Sequence, residues 1–178
     1  MDELRTARLI LRRWRASDRV PFATLNANPD VMRYFPGVLS SDDSDALASR
    51  IDARFDELGY GLWALDVLAT GEFIGFTGLA PMPADVPGEG GVEVGWRLAA
   101  HAWHHGFASE AARASIAYGF GQLGLSDINS ITAVINVPSR AVMERIGMAR
   151  VDEFEHPQLE PASALRHHVR YRIGPDQA

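Results

Sequence analysis

Residues 101–112, HAWHHGFASEAA, crowd three histidines ahead of a glycine and a run of small residues. Metal binding, proton transfer and anion binding by the backbone are the three chemistries to weigh. His101, His104 and His105 are neighbours on one short stretch, and the chain has no cysteine. That pattern does not fit common zinc-ligand spacings, so no metal is expected. A helix start leaves its first amides unpaired and carries a partial positive charge, which suits an anion. Gly106 and Ala108, with Ser109, Ala111 and Ala112 beyond, would let a phosphate or pyrophosphate approach those amides closely. A plain strand-to-helix turn, small for packing alone, is the competing reading. Glu110 suits the helix dipole but would not itself welcome phosphate. No Gly-Lys-Ser/Thr follows, so this is not a Walker loop, and the dinucleotide fingerprint Gly-x-Gly-x-x-Gly is missing too.

Such a turn needs a strand before it and a helix after it. Val92–Leu98 alternates Val92, Val94 and Trp96 against Glu93, Gly95 and Arg97. Ser109–Leu123 then places Ala112, Ile116, Phe120 and Leu123 on one helical face. Upstream, Leu9–Leu11 leads into Arg12-Arg13-Trp14 as a first strand, and Ser17-Asp18 caps a helix to about Asn26. Ser40–Asp43 caps a longer helix, with Leu47, Ile51, Phe55 and Leu58 at helical spacing before Gly59. Leu62–Leu68 and Glu72–Leu79 around Ala69-Thr70-Gly71 read as a hairpin. Residues 80–91, with three prolines and three glycines, read as a loop. Downstream come a strand at Ile128–Ile135, a short helix from Val137 to Ile146, and strands at Met148–Phe154 and Arg166–Ile173. The order β-α-α-β-β-β-α-β-α-β-β describes a mixed α/β (α+β) fold of about seven strands.

At 178 residues the chain is long enough for one domain, taken here as 1–178. With 47% apolar and 22% charged residues it has an ordinary soluble composition. A net charge of −6 argues against a nucleic-acid partner. No apolar run approaches a membrane helix and no signal peptide is evident, so a cytoplasmic location is expected. Arginines are dense at Arg5–Arg15 and Arg166–Arg172, and both clusters are expected on edge or solvated strand faces.

The stretch EVGWRLAAHAWHHGFASEAARASIAYGF resembles the acetyl-CoA-binding motif of the GNAT N-acetyltransferases, nearest the Rim-type branch that modifies ribosomal proteins. The family's Arg/Gln-x-x-Gly-x-Gly/Ala falls on Trp103-His104-His105-Gly106-Phe107-Ala108. Its Asn-x-x-Ser motif, followed by a helix and Gly-Phe/Met, is similar to Asn136-Val-Pro-Ser139 and Gly147-Met148. The opening TARLILRRWRASD, the hairpin TGEFIGFTGL and the tail EFEHP…HHVRYRI resemble the same branch, so the likeness runs from about Thr6 to Ile173.

The resemblance implies the GNAT fold, a central, mostly antiparallel sheet flanked by helices, with an acetyl-CoA cleft at the strand-loop-helix crossover. It implies direct acetyl transfer to a primary amine, either a peptide N-terminus or a small molecule; a non-catalytic acyl-CoA-binding module is the alternative. Backbone groups near Leu98 would hold the thioester and pantetheine, and amides from Trp103 through Ser109 the pyrophosphate. Ser139 becomes the candidate proton donor to the CoA sulfur, against a simple helix cap. Asn136 would bond the pantetheine arm or cap a turn. Glu93 becomes the candidate base, against a structural carboxylate paired with Arg97. His105 would stand in for a basic residue near phosphate, while His104 replaces a family glycine and either aids or crowds that seat. Phe22, Met32, Tyr34 and Phe35 would shape the acceptor pocket or serve as core. A homodimer is expected from the family alone. An α-amine titrates near ~7.7–8.0, whereas a lysine near ~10.4 needs roughly 4 kcal/mol to reach neutrality at neutral pH. A weakly placed base therefore suits low-pKa amines.

Overall fold

The computed structural model describes residues 3–177. Strands β1 (Glu3–Arg5), β2 (Leu9–Arg12), β3 (Leu62–Val67), β4 (Phe73–Pro81), β5 (Val92–Leu98), β6 (Ile128–Ala133), β7 (Ala149–Glu155) and β8 (His167–Ile173) form one sheet. Its order is β1-β2-β3-β4-β5-β6-β8-β7. Every neighbouring pair is antiparallel except β5 and β6, which run parallel and share a single register pair, Glu93 with Asn129. Helices α1 (Arg19–Asn26), α2 (Ser41–Leu58), α3 (Phe107–Gly121) and α4 (Val137–Arg145) complete the fold.

Local sequence explains the helix ends. The Ser40 hydroxyl accepts from the Asp43 amide at 3.1 Å, and Asp42 and Asp43 stand in the first turn where the dipole favours them. Gly59 ends α2 at φ 77°, a left-handed conformation that glycine adopts without strain. Trp63 on β3 meets Phe55 of α2 and Tyr118 of α3 edge to face, at centroid distances of 5.4 and 5.3 Å. One fully buried indole therefore joins both helices to the strand.

The structure departs from the sequence reading in five places. The described residues hold eight strands rather than seven, because β1 adds a short edge pairing Leu4 with Leu11. The loop expected from residue 80 begins later, since β4 continues through Pro81, and β6 stops at Ala133. Helix α3 starts at Phe107 rather than Ser109, because Gly106 itself is the cap, at φ 79°. Arg12 is not on a solvated face: it is 5% exposed and donates to Asp18 and Asp66, which are 2% and 5% exposed. Two carboxylates from other segments compensate its desolvation, which overrides the usual preference of arginine for water.

Candidate active site

The β5–β6 pair opens like a wedge. Backbone groups alternate along β5: the Gly95 carbonyl accepts from Thr77 Oγ1 of β4, and the Val94 carbonyl accepts from Ser130 Oγ of β6, both at 2.9 Å. The Ala99 amide continues the first series, donating to Ile74 of β4 at 2.9 Å. The same alternation turns the amides of Trp96 and Leu98 toward β6. Beyond the Glu93–Asn129 pair no register with β6 continues, so β5 presents an internal strand edge to a cleft of about 1070 Å³. A ligand with amide groups along an extended chain fits such an edge.

Where the wedge is widest, α3 begins. Gly106 caps it without any side-chain bond, and the first helical bond is that of the Glu110 amide to the Gly106 carbonyl at 3.1 Å. The amides of Phe107, Ala108 and Ser109 are thus the orphan donors of a helix start. Glu110 lines the corner beside that seat, tied to Thr6 and Arg8. It accepts from Thr6 Oγ1 at 2.6 Å, from the Arg8 amide at 2.9 Å and from Arg8 Nε at 2.7 Å. Burial alone would raise its pKa, but these bonds outweigh it and hold the carboxyl below its usual range. Arg8, Arg113 and Arg145 surround the same corner, and Arg145 Nη1 donates to Ser109 Oγ at 3.3 Å. Anion capacity here lies in backbone amides and three arginines, none of which the sequence singled out. A signal was present in the helical spacing of Arg113 from Ser109.

The histidines of this stretch disperse. His101 Nε2 lies 3.0 Å from Glu72 on the surface. His105 stacks on Phe107 at 5.6 Å and is not among the residues lining the cleft. His104 lines the cleft and takes φ 64°, a conformation that disfavours residues with a Cβ by about 1–2 kcal/mol. It thus adopts a left-handed backbone geometry that glycine takes without strain. His104→Gly is expected to keep acetyl-CoA affinity within about threefold, since geometry rather than the imidazole is what the position supplies. Calorimetric titration checks this; a drop beyond tenfold would assign the ring to a phosphate. Trp103 Nε1 donates to the Leu98 carbonyl at 2.9 Å, pinning the turn to the strand end and leaving only the Leu98 amide for a ligand.

Asn136 caps α4: its Oδ1 accepts from the Ser139 amide at 3.3 Å, and its Nδ2 donates to Thr132 Oγ1 at 2.9 Å. Ser139 is therefore not the cap. Its hydroxyl makes no hydrogen bond among the described residues and lines the cleft. Glu93 lines the same cleft, and burial alone pushes its pKa up to about 7. The pairing of Glu93 with Arg97 is not formed; Arg97 Nη1 instead donates to Asn26 Oδ1 at 2.7 Å. Of the four acceptor-side candidates, Phe22 and Met32 are core, whereas Tyr34 and Phe35 line the cleft. Tyr118 and Tyr171 are buried elsewhere, bonded to the Gly59 carbonyl and to Glu144.

The profile of the acetyltransferase (GNAT) domain matches residues 8–149, which includes the wedge and both loops that flank it. The chain belongs to the GNAT acetyltransferase family. Among its relatives, an Aspergillus fumigatus FsC-acetyl coenzyme A-N(2)-transacetylase is 35% identical over 120 residues, covering 65% of this chain. The aligned part spans half the length of that relative. An acetyltransferase structure from Agrobacterium tumefaciens superposes with a TM-score of 0.78 at 27% identity, over 97% of this chain and 94% of its own. Mycobacterium smegmatis RimJ, in complex with CoA-disulfide, shares the GNAT fold at a TM-score of 0.76 and 18% identity, over 94% and 82% of the two chains. No helix among the described residues of this GNAT chain is long and apolar enough to cross a membrane.

Proposed function

We propose that this protein transfers the acetyl group of acetyl-CoA directly to a primary amine, within one domain and in the cytoplasm. The observation that carries the reading is the split β5–β6 pair. It offers an unpaired strand edge, the free amides of α3 and two polar side chains, Glu93 and Ser139, to one cleft. Acetyl-CoA supplies the activated thioester. The strand edge of β5 matches the two amides of the pantetheine arm, and the α3 amides with Arg8, Arg113 and Arg145 match its phosphates.

Each chain group then has one task. The Leu98 amide donates to the thioester oxygen as negative charge grows there. Glu93, poised near pH 7, takes the proton lost by the attacking amine, directly or through one water. As the C–N bond forms and the C–S bond breaks, the Ser139 hydroxyl donates to the sulfur; solvent then restores the Ser139 proton and takes up the one that Glu93 gained. Proton balance closes without any other group.

Free-thiol release from acetyl-CoA, measured against amino acids, peptides and polyamines, tests the reading. CoA binding with no release for any acceptor would instead support a non-catalytic acyl-CoA-binding module. Ser139→Ala is expected to lower kcat roughly tenfold or more while the Kd for acetyl-CoA changes less than about threefold. Equal losses in both would make Ser139 a structural residue of the α4 start.

A further inference from the structure

On the acceptor side of the cleft, Arg97 is a half-buried cation whose Nε is fully enclosed and which has no counter-ion. The chain carries 23 acidic residues against 17 basic ones, yet no carboxylate among the described residues reaches this guanidinium. Nη1 donates to Asn26 Oδ1 at 2.7 Å, and Nε is buried with no partner. The guanidinium lies over the Phe35 ring, 4.1 Å from its centroid, and 5.4 Å from that of Phe76. Aromatic faces compensate a desolvated guanidinium in part, but an unpaired buried charge stays unfavourable. Burial accordingly pushes its pKa down to about 10.

Strand geometry relates this cation to Glu93. Glu93, Gly95 and Arg97 share one face of β5, with about 13 Å between the outer Cα atoms at roughly 3.3 Å per residue. Nothing lies within 4 Å of where a Cβ on Gly95 would stand, so the strand between the two charges has open space above it. All three residues line the cleft. Other charges there are accounted for: Asp30 pairs with Arg33 at 2.9 Å, and Arg145 belongs to the phosphate corner.

We propose that the acceptor is a small amino-acid-like amine, its carboxylate held by Arg97 and its amine presented to Glu93 across the Gly95 floor. This rests on the acetyltransferase reading above. A carboxylate matches the planar fork of a guanidinium and supplies the missing counter-charge, which polyamines and peptide amides lack. Asn26, Phe35 and Phe76 fix the fork in place.

The test pairs each proteinogenic amino acid, β-alanine and γ-aminobutyrate with its carboxamide, comparing kcat/KM corrected for the neutral amine fraction. The free acid is expected to be favoured roughly ten- to hundredfold, and Arg97→Gln to abolish that preference with the KM for acetyl-CoA unchanged. Arg97→Lys should retain part of it. Gly95→Val fills the floor without removing the charge and should raise acceptor KM at least tenfold. Thermal melts confirm that the variants are folded. A second readout needs no turnover: the Arg97 Nε–H resonance, assigned by its loss in Arg97→Lys, should shift with the acids and not with the carboxamides. Turnover of polyamines or carboxamides with no preference for acids, or no resonance shift with any acid, overturns the assignment. Failure to bind acetyl-CoA at all would refute the acetyltransferase reading instead.

Discussion

Glu93→Gln is expected to lower kcat/KM by roughly 10²–10³-fold at pH 8, the range that general-base catalysis supplies. It should also remove one limb of the pH–rate profile. Burial raises the wild-type carboxyl to about 7, so activity climbs as pH rises through that value and the carboxylate forms. Glutamine has no such step, and the variant retains only the limb set by the amine itself. Two half-buried histidines that line the cleft, His156 and His168, do not mimic this. Burial lowers the pKa of His156 and is also the largest influence lowering that of His168, so both titrate on the acid side of it.

The same substitution should act on stability with the opposite sign. A carboxyl raised from 4.5 to about 7 holds its proton in the folded state where the unfolded chain has lost it. Stability therefore falls as pH rises between those values, by at most about 3.4 kcal/mol at ~1.36 kcal/mol per unit. Glu93→Gln should flatten that slope, making the variant more stable than wild type at pH 8 while less active. Denaturant unfolding at pH 5 and pH 8, beside steady-state rates, checks both halves. A variant that loses activity and stability together at pH 8 would make Glu93 a structural carboxylate.

How much of this was legible in sequence depends on how far apart the interacting residues lie. Alternation across Val92–Leu98 located β5 to the residue and placed Glu93 opposite Val92 and Val94, because strand periodicity is a local property. Ser40 and Gly59 bounded α2 for the same reason. The small residues around Gly106 pointed to the helix start, though the helix begins two residues earlier than Ser109 suggested. Asn136 was ambiguous because one side chain serves both as a cap and as a possible ligand; the cap is what its geometry shows. The basic corner was hidden because Arg8, Arg113 and Arg145 come from three distant segments. Arg97 was offered by strand spacing only as one possible partner for Glu93, in the alternative to a catalytic base. Its real neighbours, Asn26 and Phe35, meet β5 only after α1 and the turn beyond it have folded back.

Arg12 is the extreme case of such non-local chemistry, and Asp66→Asn is expected to destabilise the protein by about 3 kcal/mol or more. The guanidinium donates to both oxygens of Asp18 at 2.8 Å, to Asp66 Oδ1 at 2.7 Å and to Asp66 Oδ2, and to the Arg13 carbonyl at 3.0 Å, which uses all five of its N–H groups. Burial alone would lower its pKa, yet the two aspartates outweigh that and raise it. β2, the turn before α1 and β3 are thereby joined at one point. Asparagine would keep one acceptor but turn a donor toward a donor, leaving part of a buried charge uncompensated. For a chain of this size the loss corresponds to a Tm lower by roughly 10 °C. Arg12→Gln removes the cation from the other side, so the double variant should lose less than the sum of the singles, with a coupling of about 1–3 kcal/mol. At 20 °C, where both single variants should remain folded, acetyl-CoA affinity should stay near wild type, because β2 and β3 lie on the far side of β4 from the wedge. A loss under 1 kcal/mol for Asp66→Asn would mean that water reaches the guanidinium, and that packing rather than this ion network joins the three segments.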